Sequence, residues 1–184
     1  PPRHTDPGTT FDDHLRRYVN ETRAKGGIPV LFNSIVRRNF VQPKDTSILK
    51  DVRRTPGESE PPKEGTVLFD THGAYLDSPR NVAKELGVAF IDMNKITHDL
   101  VEGLGPVESK KLFMFVEPDQ VPAFPKGRED NTHLNVYGAR VIAELAVEAI
   151  GKAVPELAPY IRHYDYVVAQ DGSGDFFTVQ EAIN

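Results

Sequence analysis

The sequence predicts an α/β protein in which helices alternate with apolar strands along the chain. Three observations carry that expectation. Residues Phe11, Leu15, Tyr18, Val19 and Thr22 form a helical stripe at i, i+4, i+7, i+8. A continuous apolar run, Ile28–Phe32 (extending towards Val36), and a second strand, Val88–Asp92, each follow a helix directly, as buried parallel strands do. A long amphipathic segment from Asn135 to Ala153 closes the unit.

The first ten residues are polar and contain proline and glycine, so they read as a loop. Thr10, with Asp13 behind it, resembles an N-cap with an acidic first turn. Arg16, Arg17, Asn20 and Lys25 make the polar face of the helix that follows, and Gly26-Gly27 stops it. Residues 42–65 are a long polar excursion rich in Pro, Glu, Lys, Asp and Arg. Long loops in compact domains are more often functional than idle. Thr66–Phe69 is expected to be a short strand. Ser78-Pro79 opens the next helix, with Val82, Ala83 and Leu86 inward and Gly87 as its stop. Ile96–Leu104 and Val107–Phe115 read as two helical pieces split by Gly105-Pro106, and 117–132 as irregular. On the last long helix Ala139, Ile142, Leu145, Ala146, Ala149 and Ile150 share a face. Arg140, Glu144, Glu148 and Lys152 share another, four residues apart. From Tyr164 the character changes: Tyr166–Ala169 reads as a strand, 171–175 as a turn cluster, and Phe177–Ile183 as the start of another element.

Composition excludes several classes. The chain has 184 residues, a net charge of −5 and no cysteine, so disulfides, thiolate catalysis and cysteine zinc sites are out. No basic stretch exceeds two residues, which argues against nucleic acid. No apolar run approaches the length of a membrane span. The histidines lack the spaced partners of a metal site, so no metal and no cofactor is expected. The chain begins Pro1-Pro2-Arg3, without an initiator Met or a signal segment. It reads as a fragment or a processed product.

Chemistry concentrates in Asp130-Asn131-Thr132-His133, ahead of the last helix. A carboxylate three residues before a histidine can hold the ring at Nδ1 and leave Nε2 as a general base. Those are the orienter and base of a hydrolase triad. Gly138-Ala139 keeps the first turn of the helix small, so that it can approach the sheet closely. The plainer alternative is that Asp130 only caps the loop and His133 is an ordinary, partly buried histidine. Arg37 and Arg38 lie past the end of the first strand, where open α/β sheets place ligands. They are candidates for binding a carboxylate, against the alternative of a solvated charged loop.

Asp130-Asn131-Thr132-His133 with Gly138-Ala139 resembles the last block of the SGNH (GDSL-type) hydrolases, and more closely their rhamnogalacturonan acetylesterase-like branch. Tyr18–Arg23, Ala24–Leu31, Arg37-Arg38, Asp70–Tyr75 and Gly87–Asp92 extend the resemblance over about residues 9–155. It implies a three-layer α/β/α, flavodoxin-like fold, truncated at the N-terminus. It also implies an enzyme that removes acetyl groups from pectic polysaccharide, with Asp130 and His133 catalytic and no cofactor. That pattern also needs a nucleophilic serine in a Gly-Asp-Ser block, and a Gly and an Asn for the oxyanion hole, all upstream of Thr10. Ser34, Ser47, Ser59, Ser78 and Ser109 lie in no such motif, and Ser173 comes after the histidine. The resemblance therefore implies a C-terminal portion with base and orienter but no nucleophile, inactive alone, secreted or periplasmic in origin. Self-association, or a complementing N-terminal segment, would cover the open sheet. The rival reading is a non-catalytic carbohydrate-binding or structural fragment with vestigial Asp130 and His133. Val167–Ile183 is similar to the opening of the pectin methylesterases, where it begins a β-helix. The expected division is therefore an esterase portion over 1–160 and a linker with the start of a pectinesterase-like domain over 161–184.

Overall fold

The computed structural model describes residues 5–41, 66–162, 164–172 and 174–183. The excursion expected at 42–65 falls outside them. The fold is α/β and SGNH-like, with helices α1 (Thr10–Ala24), α2 (Asp77–Leu86), α3 (Met93–Glu108), α4 (Val136–Ala153) and α5 (Val179–Ile183). The strands are β1 (Val30–Phe32), β2 (Phe40–Val41), β3 (Val67–Leu68), β4 (Ala89–Ile91), β5 (Phe113–Val116) and β6 (Arg128–Leu134).

Strands β1 and β4 pair in parallel, Val30 opposite Ala89 and Phe32 opposite Ile91. Successive strand side chains point to opposite faces, and β4 uses both. Phe90 meets the Arg80 guanidinium of α2 at 5.5 Å from its ring centre. Ile91 packs with Ile142 and Ala146 of α4 and with Met93. Helices therefore flank the parallel pair, with α1 laid on α2 through an ion pair of Arg16 with Glu85 at 2.8 Å. The strands are half-buried rather than fully buried as the apolar runs suggested, and Ile28 is 77% exposed. Burial on a strand comes from sheet neighbours and covering helices, and among the described residues β1 has only β4 beside it.

Helix ends follow local chemistry. Gly87, left-handed at φ 60°, terminates α2. Asn135 caps α4 by accepting the Gly138 N–H at 2.8 Å. At α1 the expectation changes: Thr9 precedes the helix without a side-chain cap. Thr10 Oγ1 instead accepts the Asp6 N–H, and Asp12 Oδ1 accepts that of Gly8. Tyr18, assigned to the apolar stripe, is exposed.

The larger correction lies at 107–134. The second helical piece ends at Glu108, and Phe113–Val116 is a strand. The expected irregular stretch supplies its antiparallel partner, β6. The consecutive apolar residues Phe, Met, Phe and Val suit a buried strand as well as a helix, and only the partner decides between them. Gly105, at φ 71°, kinks α3 where the Gly-Pro pair predicted a break. The main core joins Val36, Leu68, Val101, Leu112 and Phe113, so it links β2–β3 to β5 through α3.

Candidate active site

The β5–β6 ladder is irregular. Phe113 pairs with Leu134, but the next residue, Met114, pairs with Asp130. Asn131, Thr132 and His133 are thus left over on β6 as an enlarged bulge. Such irregularities re-aim side chains and expose backbone donors that need partners. Asp130 supplies them. Its Oδ1 accepts the N–H groups of Thr132 at 2.8 Å and His133 at 2.9 Å. Its Oδ2 faces His133 Nδ1 at 2.8 Å. The carboxylate therefore both caps the bulge and holds the imidazole.

Asp130 is buried, while the His133 side chain is 71% exposed. Arg128 shares Oδ2 with the histidine, its Nη2 2.5 Å and its Nε 3.2 Å from that oxygen. Burial pushes the Asp130 pKa upward. The His133 amide, the Arg128 guanidinium, the Thr132 amide and the imidazole together outweigh it, and hold the carboxyl well below the usual carboxylate range. Asp130 is thus an ionised acceptor at neutral pH. With Nδ1 directed at it, Nε2 of His133 carries the ring's acceptor lone pair. Among the described residues no hydrogen bond engages that nitrogen.

Arg38 anchors the bulge from the segment that leaves β1. Its amide donates to the Asn131 carbonyl at 2.8 Å. Its guanidinium donates to Asn131 Oδ1 (2.5 Å), to Ser109 Oγ (2.9 Å) and to the Pro106 carbonyl. The Phe40 and Phe115 rings flank it at 5.6 and 5.2 Å. Arg38 is 6% exposed, and desolvation brings its pKa down to about 10. Each of its three nitrogens is engaged by the protein itself, which gives Arg38 a structural part beside the expected one in holding substrate.

Arg37 has a different setting. It lines a cavity of about 420 Å³ with Phe11, Phe32, Ser34, His72 and Tyr75. Its Nη1 reaches Thr71 Oγ1 at 3.2 Å. Beside it lies a second Asp–His pair, Asp70 and His72, two residues apart within the Asp70–Tyr75 stretch of the resemblance. Asp70 Oδ1 accepts the His72 amide at 2.7 Å and faces its Nδ1 at 3.1 Å, and Asp70 Oδ2 accepts from Asn94 at 2.5 Å. Burial raises the Asp70 pKa, but the His72 and Asn94 contacts prevail and lower it. Arg128, two residues before Asp130, was legible in the same way. His98 sits on α3, 3.7 Å from Glu102. No group of three or more potential metal ligands exists among the described residues.

No family model matches the chain. It is similar to the rhamnogalacturonan acetylesterase RhgT of Bacillus subtilis (strain 168), 34% identical over 171 residues, which is 93% of this chain and 62% of the relative. It is also similar to the probable rhamnogalacturonan acetylesterase YesY of the same organism, 23% identical over 150 residues, 82% of this chain and 54% of that protein. The chain thus spans somewhat over half the length of the curated relatives it matches. The homology to the acetylesterase RhgT runs over most of this chain and supports the SGNH hydrolase branch.

Proposed function

We propose that this homologue of a rhamnogalacturonan acetylesterase is the base-bearing portion of a carbohydrate esterase, which removes acetyl groups from a pectic polysaccharide by Ser-His-Asp chemistry. The observation that carries the reading is the exposed His133 ring, held at Nδ1 by the buried, ionised Asp130.

In this reading the serine comes from outside these 184 residues. Ser109 is buried as the acceptor of Arg38, Ser78 is buried at the start of α2, and no described serine bonds to His133. The serine oxygen bonds to the acetyl carbon while His133 Nε2 takes its proton. As the carbon–oxygen bond to the sugar breaks, the same proton passes to the leaving sugar oxygen. Water, deprotonated by His133, then attacks the acetyl-enzyme; acetate leaves and the serine regains its hydrogen. Asp130 stabilises the imidazolium at each stage. Arg128 keeps Asp130 ionised and fixed. As part of the same proposal, and by the resemblance to the acetylesterases, this work belongs outside the cytoplasm, in the secreted or periplasmic space. The run Val167–Ile183 is read as the opening of a pectinesterase-like domain on its residues alone.

The test is acetate release from acetylated rhamnogalacturonan. The 184-residue chain alone should release little or none. The longer gene product with a Gly-Asp-Ser segment should release it readily. His133→Ala in that product should cost on the order of 10⁴–10⁶ in turnover, and Asp130→Asn about 10⁴. Full activity in either variant would overturn the reading. So would labelling of one of this chain's own serines by a serine-directed phosphonate.

A further inference from the structure

The loop that joins β5 to β6, residues 117–127, has a closely bonded shape. The Asp119 amide donates to the Pro125 carbonyl at 3.2 Å, and the Phe124 amide to that of Val121 at 2.9 Å. Gln120 Oε1 accepts the Glu117 N–H at 3.0 Å. Asp119 turns the chain in the left-handed region at φ 63°, and Gly127 does so again at φ 74°. A Cβ at Gly127 would stand 2.7 Å from the Val116 carbonyl oxygen, so the end of the loop runs tight against its start. Fixing a surface loop costs conformational entropy, and the side chain it presents shows what that order positions. Phe124 is half-buried while Pro122, Ala123 and Pro125 around it are exposed. Its ring centre lies 5.2 Å from the Arg128 guanidinium carbon, within cation–π range.

The same guanidinium bonds Asp130 Oδ2 through Nη2 and Nε. Residues two apart on a strand share a face, which is how Arg128 reaches Asp130. The two oxygens of Asp130 are thus pinned separately. The Thr132 and His133 amides hold Oδ1, and Arg128 holds Oδ2. The imidazole therefore meets an acceptor whose direction is already set. Other cations nearby are engaged elsewhere: Arg38 with Ser109 and Asn131, and Lys110 over the Phe115 ring at 5.1 Å. A carboxylate that need not turn as the ring gains and loses its proton costs no reorganisation at either step.

We propose that Phe124 and Arg128 form a brace for the catalytic base. The loop fixes the guanidinium through the Phe124 ring, and the guanidinium aims the Asp130 carboxylate at His133. Arg128 is then a positioning residue that acts through Asp130, and Phe124 acts only through Arg128. The kinetic consequence rests on the esterase reading above; the consequence for the His133 ring does not.

The experiment reads that ring directly. Nitrogen NMR shifts of the neutral His133 imidazole in the 184-residue chain tell a proton on Nδ1 from one on Nε2. In the unaltered chain the proton should sit on Nδ1, facing Asp130. Arg128→Gln should move a measurable share of it to Nε2. Arg128→Lys, which keeps the charge but loses the fork, should move less, and so should Phe124→Leu, which keeps apolar bulk but loses the aromatic face. Arg17→Gln, on the exposed face of α1, should change nothing. In the longer gene product Arg128→Gln should lower kcat on the order of 10–10²-fold with KM little changed. Adding Phe124→Leu to it should take kcat no lower, because residues that act as one unit are not additive. A proton that stays wholly on Nδ1 in a folded Arg128→Gln chain overturns the proposal, and so does a rise in KM alone. An unchanged ring in Phe124→Leu overturns it too, whether or not the Gln variant folds. The esterase reading fails by a different result, insensitivity of the gene product's turnover to His133→Ala, so the two failures are separable.

Discussion

At the scale of single residues, the site depends on how Asp130 is satisfied. Its pKa is depressed in the folded chain, so its stabilising effect is complete above the unfolded value of about 3.9 and is lost as pH falls towards the folded value. Asp130→Asn should therefore unfold more easily than the parent at pH 7. The gap should narrow steadily below about pH 4, as read from urea midpoints across pH; a gap that widened on acidification would contradict the assignment. Arg38 has the opposite character, a buried cation with no carboxylate in its direct contacts. Arg38→Met would strand two buried acceptors, Ser109 Oγ and Asn131 Oδ1, and the half-buried Pro106 carbonyl. At about 1–3 kcal/mol for a buried group left without a partner, a loss of roughly 3 kcal/mol or more is expected in denaturant titration. The bulge should loosen with it, seen as faster amide exchange at Thr132 and His133.

At the scale of elements, the site requires close contact between α4 and the turn before β5. A methyl group at Gly138 would stand 1.9 Å from the Leu112 carbonyl oxygen, which is rigid backbone. Gly138→Ala must therefore push the first turn of α4 outwards and pull on Asn135, which binds the Lys111 and Phe113 carbonyls. Overpacking of this kind costs about 1–3 kcal/mol and sometimes more. We expect the upper part of that range by thermal or urea unfolding, together with a shifted His133 resonance. Unchanged stability would mean that the helix has another way to seat. The small pair Gly138-Ala139 was legible as a close-approach signal. The strand character of Phe113–Val116 was not, because four consecutive apolar residues fit a helix or a strand until a partner is in place.

At the scale of the molecule, the parallel pair β1–β4 is covered by helices on its faces but open along the β1 edge among the described residues. Ile28 and Phe32, on and beside that edge, are exposed. Unpaired edges with apolar side chains invite strand pairing. Self-association of the 184-residue chain is therefore predicted. Sedimentation velocity should show weight-average mass rising with concentration. A strictly monomeric chain at high concentration, with a high melting temperature, would refute it. The C-terminal segment adds little cover. It is tethered to α4 through Arg140 and Asp175 at 2.5 Å, with Tyr166 edge-on to Phe176.

The sequence by itself determined α1, α2, the first part of α3, α4, the parallel pair and the spacing of Asp130 and His133. Each depends on neighbours close along the chain: a 3.6-residue stripe, an apolar run after a glycine, a carboxylate three residues from a ring. What lay further apart needed the tertiary structure. Arg37 and Arg38 are adjacent and alike in sequence, and no local rule separates them. The fold buries one among Ser109, Asn131 and two aromatic rings, and leaves the other lining a cavity formed with α1 and the segment after β3. The bulge that exposes His133 likewise arises from the register between β5 and β6. Register is a long-range choice, made by which side chains the core accepts, and for that reason the sequence could name the residues of the site without saying what aims them.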